Sequence, residues 1–251
     1  MTRGARTYVI TGAAHRIGRA LALGLAKDAA AIVIHYGTSE AAAKQLAQEI
    51  DMAGTKAFTL NADLASPAQC LDLLKRAQDL AGPIDILINN ASIFEQGKLT
   101  EINVEDLNRN MFLNAYAPLL LSRSFAELNK SRKPDKLPVI INMLDTRITD
   151  YDRRHAAYLM SKRALFTLTK MLALEFAPAV RVNAVAPGLI LPPKDKDQSY
   201  LEQLKSTNPL NAIGKVEQVV DAVRFLINNE YITGQVIFVD AGRNLLTNTY
   251  G

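Results

Sequence analysis

Along this chain, short apolar runs rich in β-branched residues alternate with stretches of helical periodicity, and that alternation leaves few folds open. The runs cover residues 7–11, 31–36, 56–60, 84–89, 138–144, 180–185 and 235–239. The helical stretches cover residues 18–28, 40–52, 67–80, 104–128, 155–176 and 217–228. Strict alternation predicts an α/β fold: a seven-stranded, doubly wound parallel sheet with helices on both faces. The punctuation agrees. Ser66-Pro67-Ala68-Gln69 supplies a capping hydroxyl, a first-turn proline and a returning glutamine, and Gly54 and Gly82 stand where helices should stop. No internal repeat, low-complexity tract or Pro/Gly linker divides the 251 residues, so residues 1–251 read as one domain. Residues 191–211 interrupt the alternation with Pro192-Pro193 and the mixed charges Lys194-Asp195-Lys196-Asp197. That segment is either a solvated insertion or a substrate lid over the carboxyl ends of the strands.

Charge and cysteine content narrow the function classes. The 29 Lys and Arg against 25 Asp and Glu give a net charge of +4, scattered among acids. Without clustered cations no nucleic-acid partner is expected, whereas an anionic small molecule suits the mild surplus. A single cysteine, Cys70, can form neither an internal disulfide nor a cysteine metal cluster, so no metal is expected and a reducing compartment fits. No apolar run reaches the roughly 18 residues of a membrane span. The short stretch from Met1 to Arg6 before the first run leaves no room for a leader, which makes a cytoplasmic address the expectation.

The chemistry-bearing residues fall at strand ends. Thr11-Gly12-Ala13-Ala14-His15-Arg16-Ile17-Gly18 joins the first run to the first helical stretch. Such a turn brings backbone N–H groups and a helix N-terminus against a diphosphate, with Gly12 and Gly18 permitting close approach. A glycine turn that binds nothing is the plainer alternative. After the second run stand His35-Tyr36-Gly37-Thr38-Ser39, with no carboxylate to repel a ribose 2′-phosphate. The hydroxyls of Thr38 and Ser39 therefore favour NADPH, although Ser39 also suits a helix cap. Tyr158 and Lys162 lie four apart in a helical stretch and share a face. Spacing alone is weak in a chain with 8 tyrosines. Context strengthens it, because Asn89-Asn90-Ala91-Ser92 and Asp145 end two further runs on the same crevice.

Taken together, Thr-Gly-x-x-x-Arg-x-Gly, Asn-Asn-Ala-Ser, Tyr158-x-x-x-Lys162 and Ala186-Pro187-Gly188 resemble the short-chain dehydrogenase/reductase family over essentially the whole chain. The resemblance implies a Rossmann fold and catalytic residues Asn114, Asp145, Tyr158 and Lys162, with Lys162 lowering the tyrosine pKa. It places cofactor contacts at Gly12, His15, Arg16, Ile17, Gly18, His35, Thr38, Ser39, Asp63, Leu64, Asn90, Ala91, Tyr158, Lys162, Pro187, Gly188 and Ile190. Asp145 departs from the usual pattern, which has a serine thirteen residues before the tyrosine. An ionised carboxylate only accepts hydrogen bonds, so it suits a substrate presenting N–H groups, or it serves a proton relay. Asp145, Arg16 and Phe94 together are similar to the pteridine reductase branch, and His155 to bacterial dihydromonapterin reductases. That implies a pteridine stacked on Phe94, with Arg16, Ser92, Asp145, His155, Tyr158 and Gly188 around it. The expected reaction is NADPH-dependent reduction of dihydromonapterin, dihydrobiopterin or dihydrofolate to the tetrahydro form. A carbonyl or alcohol substrate and a non-catalytic NADPH sensor are the alternatives. The long stretches 104–128 and 155–176, with Phe166, Met171 and Leu174, imply pairing of helices within a homotetramer.

Overall fold

The structure, a computed structural model, describes residues 6–193, 196–246 and 249–250. Residues 1–5 and the pair Lys194-Asp195 of the expected lid lie outside the described residues. Strands β1 (Arg6–Ile10), β2 (Ala29–Tyr36) and β3 (Lys56–Asn61) alternate with helices α1 (Arg16–Ala26), α2 (Glu40–Met52) and α3 (Pro67–Ala81). The second half holds β4 (Ile86–Asn89), α4 (Val104–Met111), α5 (Ala117–Asn129), β5 (Val139–Met143), β6 (Tyr151–Asp152) and α6 (Ala156–Glu175). It finishes with β7 (Arg181–Pro187), α7 (Gln198–Leu204), α8 (Val216–Asn228), β8 (Val236–Val239) and β9 (Thr249–Tyr250). The principal sheet has seven strands in the order β3-β2-β1-β4-β5-β7-β8, and every pairing is parallel. This is the doubly wound Rossmann arrangement. β6 and β9 form a separate parallel pair, too short to leave a periodic signal in the sequence.

Period-two alternation divides the strand side chains between two apolar layers. Tyr8, Ile10, Ile32, Ile34, Ile86 and Ile88 point to one face, where Leu21, Leu25, Leu46 and Val223 of α1, α2 and α8 cover them. Val9, Val33 and Leu87 point to the other, against Leu73, Leu74, Leu121 and Phe125 of α3 and α5. Each such fully buried side chain contributes about 1.5–3 kcal/mol, which pins the register and with it the positions of the strand ends. Because β1 lies between β2 and β4, the chain leaves β1 in both directions across the sheet. The crevice at that reversal is where a ligand has room.

One expected helix is not continuous. Residues 104–128 form α4 and α5 joined by a π-helical turn, Phe112–Tyr116. Pro118 stands at the start of α5 and has no N–H to return to the preceding turn, so the regular ladder cannot run through it. Asn114 sits in that π-helical turn.

Candidate active site

The carboxyl ends of the strands open onto one cavity of about 580 Å³, a size that takes a small-molecule ligand. Its floor is the turn after β1. Gly12 has φ 60°, and a Cβ there would stand 2.9 Å from Ala91 Cα. At Gly18 a Cβ would fall 2.4 Å from the Gly12 carbonyl oxygen and 2.6 Å from Asn90 Nδ2. Only glycine lets the turn, α1 and the end of β4 approach this closely. Asn90 stitches the same region by donating from Nδ2 to the Thr11 and Gly12 carbonyls at 2.9 and 3.1 Å. Thr11 Oγ1 accepts from the backbone N–H groups of Asn90 and Ala91.

His35 braces the turn from beneath. Its Nδ1 accepts the Gly12 N–H at 3.1 Å, which leaves Nε2 to donate to the Ala62 carbonyl at 3.0 Å. The ring is thereby fixed as one neutral tautomer. Burial lowers its pKa to about 4.

The helix ends facing the cavity are uncapped. His15 precedes α1 without a side-chain cap bond, the first turn of α1 carries no acid, and His15, Arg16, Ile17 and Gly18 all line the cavity. Free first-turn N–H groups and the positive end of a helix dipole are what a phosphate requires. Ser39 makes no cap bond to α2 either, so its hydroxyl is not spent on the helix, and it lines the cavity with His35 and Gly37. Thr38 does not line it. Asp63 and Leu64 line the cavity beyond β3, and Ala91, Pro187, Gly188 and Ile190 line it past β4 and β7. These features fit a phosphorylated dinucleotide.

Arg16 adopts φ 55°, a left-handed conformation that costs a non-glycine residue about 1 kcal/mol or more. Its Nη2 donates to the Pro192 carbonyl at 2.7 Å, so the guanidinium reaches the segment expected as a lid. Leu191, Pro193, Tyr200, Leu201 and Leu204 of that segment line the cavity.

At the other end, α6 presents Tyr158 and Lys162 to the end of β5. The Tyr158 hydroxyl donates to Asp145 Oδ2 at 2.8 Å, and Lys162 Nζ donates to the Met143 carbonyl at 2.8 Å. Burial pulls Lys162 down to about 8, against the opposing pull of Asp145. The expected lowering of Tyr158 is not what the structure shows. Burial and the adjacent Asp145 carboxylate raise its pKa well above the ordinary phenol value, and the Lys162 ammonium sits 5.8 Å from its ring centroid, tied to Met143. Tyr158 is therefore a protonated donor at neutral pH.

Two expected site residues stand behind the cavity wall. Asn114 is fully buried and does not line the cavity. Its Oδ1 accepts from Ser92 Oγ and the Ile93 N–H, both at 2.9 Å, and its Nδ2 donates to the Ile93 carbonyl and Ser161 Oγ. The side chain thus splints the loop that carries Ser92 and Phe94, both of which do line the cavity. His155 is also absent from the lining. It stacks on Phe94 with ring centroids 4.3 Å apart and 13° between planes, and its Nδ1 donates to Asp152 Oδ2 at 2.7 Å.

This chain matches the family model described as enoyl-(acyl carrier protein) reductase over residues 12–244. It is 31% identical to a short-chain type dehydrogenase/reductase of Picea abies, covering 96% of this chain and 93% of that protein. It is 32% identical to a 3-oxoacyl-[acyl-carrier-protein] reductase of Synechocystis, covering 95% and 96%. Among solved structures, FolM alternative dihydrofolate reductase 1 from Brucella canis, complexed with NADP, superposes with a TM-score of 0.87 at 32% identity over 98% of this chain and 96% of that one. A blue fluorescent protein from a metagenomic library, in complex with NADPH, gives a TM-score of 0.85 at 31% identity over 95% and 97%. The chain belongs to the short-chain dehydrogenase/reductase family.

Two side chains of this short-chain dehydrogenase/reductase site escaped the sequence reading. Arg147 lines the cavity, and Asp152 accepts from both Arg147 Nη1 and His155 Nδ1 at 2.7 Å. Both lie in or beside a 3-10 turn, Thr146–Thr149, begun by Asp145, whose Oδ1 accepts the Arg147 N–H at 2.8 Å. The local Asp-x-Arg pattern is the one signal that could have pointed to them.

Proposed function

We propose that this oxidoreductase is an NADPH-dependent reductase of dihydropteridines, converting dihydromonapterin, dihydrobiopterin or dihydrofolate to the tetrahydro form. The observation that carries the reading is the direct hydrogen bond from Tyr158 to Asp145 Oδ2 at 2.8 Å. A carboxylate there offers no donor to a substrate carbonyl, yet it backs a phenol that must give up a proton to a ring nitrogen. With its pKa raised, Tyr158 keeps its proton at neutral pH and gives it up only to a ring nitrogen made strongly basic by the arriving hydride. Solved relatives that share the fold at 31–32% identity include an alternative dihydrofolate reductase holding NADP, which agrees with this substrate class.

The turn from Gly12 to Gly18 and the N-terminus of α1 would hold the diphosphate. Ser39 and the start of α2 would take the 2′-phosphate, Asp63 and Leu64 the adenine, and Lys162 the nicotinamide ribose. When bound, NADPH supplies the hydride that reduces C6 of a 7,8-dihydropteridine. Tyr158, its O–H turned from Asp145 to the ring, delivers the proton that N5 gains as its double bond to C6 is lost; the phenolate then takes a proton back from water, with Asp145 accepting the restored O–H. Asn114 orders the relay by fixing the Ser92–Phe94 loop. Phe94, 41% exposed in the cavity lining and flanked by His155 and Arg147, offers an apolar edge against which a flat ring can rest. Measuring NADPH oxidation with the three dihydropteridines tests the proposal, and no turnover with any of them would overturn it.

The 3-oxoacyl reductase among the relatives favours a second reading, a carbonyl substrate. Asp145 opposes it on charge. If Asp145→Ser gained ketone reduction while losing no pteridine turnover, the role given to Asp145 would be wrong.

A further inference from the structure

Two residues past Asp145, Arg147 stands in the cavity wall with a guanidinium only partly engaged. Its backbone N–H and Nε lie 2.8 and 3.5 Å from Asp145 Oδ1, and Nη1 donates to Asp152 Oδ2 at 2.7 Å. Among the described residues Nη2 has no acceptor, on a side chain 19% exposed that lines the cavity. The guanidinium also lies 4.9 Å from the centroid of Phe94. Asp152 holds His155 as well, and His155 stacks on Phe94, so these contacts form a closed circuit that fixes the guanidinium. Burial works against its charge, but Asp145, Tyr158 and Asp152 outweigh burial and raise its pKa above the ordinary value.

A fixed cation with an unspent pair of N–H donors, beside the acid that protonates a ring nitrogen, is complementary to an edge bearing that nitrogen next to an acceptor. In a 2-amino-4-oxo-7,8-dihydropteridine, N5 has the 4-oxo oxygen as its peri neighbour. A 4-amino group in the same place presents N–H donors and would meet the guanidinium donor to donor. We propose that Arg147 is a specificity-determining residue whose Nη2 donates to the 4-oxo oxygen of the substrate ring. The assignment rests on the dihydropteridine reading above.

Equilibrium binding of 2-amino-4-oxopteridine and of 2,4-diaminopteridine to the NADP-loaded enzyme tests it, in the wild type, Arg147→Met and Arg147→Lys. Arg147→Met should weaken the 4-oxo ring about 10- to 100-fold, as expected for a lost hydrogen bond from a charged donor. It should leave the diamino ring within about threefold or bind it more tightly, and Arg147→Lys should recover part of the loss. NADPH affinity, measured in parallel, reports whether each variant is folded. Should Arg147→Met lose NADPH as well, Arg147→Lys carries the comparison and should show a smaller loss confined to the 4-oxo ring. Equal weakening of both rings would overturn the role of Arg147 alone. A wild type that binds neither ring would overturn the role of Arg147 together with the dihydropteridine reading.

Discussion

Asp145 accepts the Tyr158 hydroxyl on Oδ2 and the Arg147 backbone on Oδ1, so both of its oxygens are committed to orienting the acid and the cavity wall. Asp145→Ser should lower kcat on a dihydropteridine by about 10²- to 10⁴-fold, the usual contribution of a positioned acid–base group. NADPH affinity should stay near wild type, as fluorescence titration would show. His35 gives a pH dependence whose sign follows from its neutral tautomer. Its pKa drops from 6.5 to about 4 on folding, so its contribution is fully present above about 6.5 and is lost as pH falls toward 4. The loss amounts to about 3 kcal/mol of stability at the acid end. NADPH affinity should hold through that window and fall only as pH drops through about 4, where protonated Nδ1 can no longer accept the Gly12 N–H. His35→Gln, which keeps a donor and an acceptor, should flatten that dependence; an unchanged slope would argue against the brace. Tyr158, Lys162 and the two glycines were legible because spacing and strand ends announce them. Arg147 and Asp152 were not, since the circuit through His155 closes on Phe94 only when two irregular segments meet, Gly97 pairing with His155.

The turn between β1 and α1 is the element under the tightest steric control. Gly18→Ala would press a methyl against the Gly12 carbonyl and the Asn90 amide. The forced shift should cost about 1–3 kcal/mol and weaken NADPH by more than tenfold, read by thermal melting and titration. The seven strands of the sheet were readable from apolar runs because burial on both faces demands uninterrupted β-branched sequence. The π-helical turn at Phe112–Tyr116 was not, as helical periodicity runs through it and Pro118 is its lone mark. That turn places Asn114 where it can reach the loop of Ser92 across from α6.

At the scale of the whole molecule, no helix among the described residues is long and apolar enough to cross a membrane, and no group of side chains there is arranged to hold a metal ion. The outward side of α6 leaves Met160, Met171 and Leu174 exposed, the last at 83%. A neighbouring subunit would cover such a surface at a gain of about 25 cal/mol per Å² of apolar area. We propose that copies of this chain cover it, in a homotetramer: light scattering should show an oligomer at micromolar concentration, and the double substitution Met171→Glu with Leu174→Glu should yield smaller species; a monomeric wild type would contradict this. The fold brings one cavity fit for a dinucleotide beside the hydrogen-bonded pair Tyr158 and Asp145, and we propose that together they reduce a pteridine. A single turnover with NADPH deuterated at the transferable C4 position, followed by mass and NMR analysis of the product, follows the hydride itself. The expected product is tetrahydropteridine carrying one deuterium at C6; recovery of unreduced dihydropteridine, or of a product without deuterium at C6, would overturn the pteridine reading.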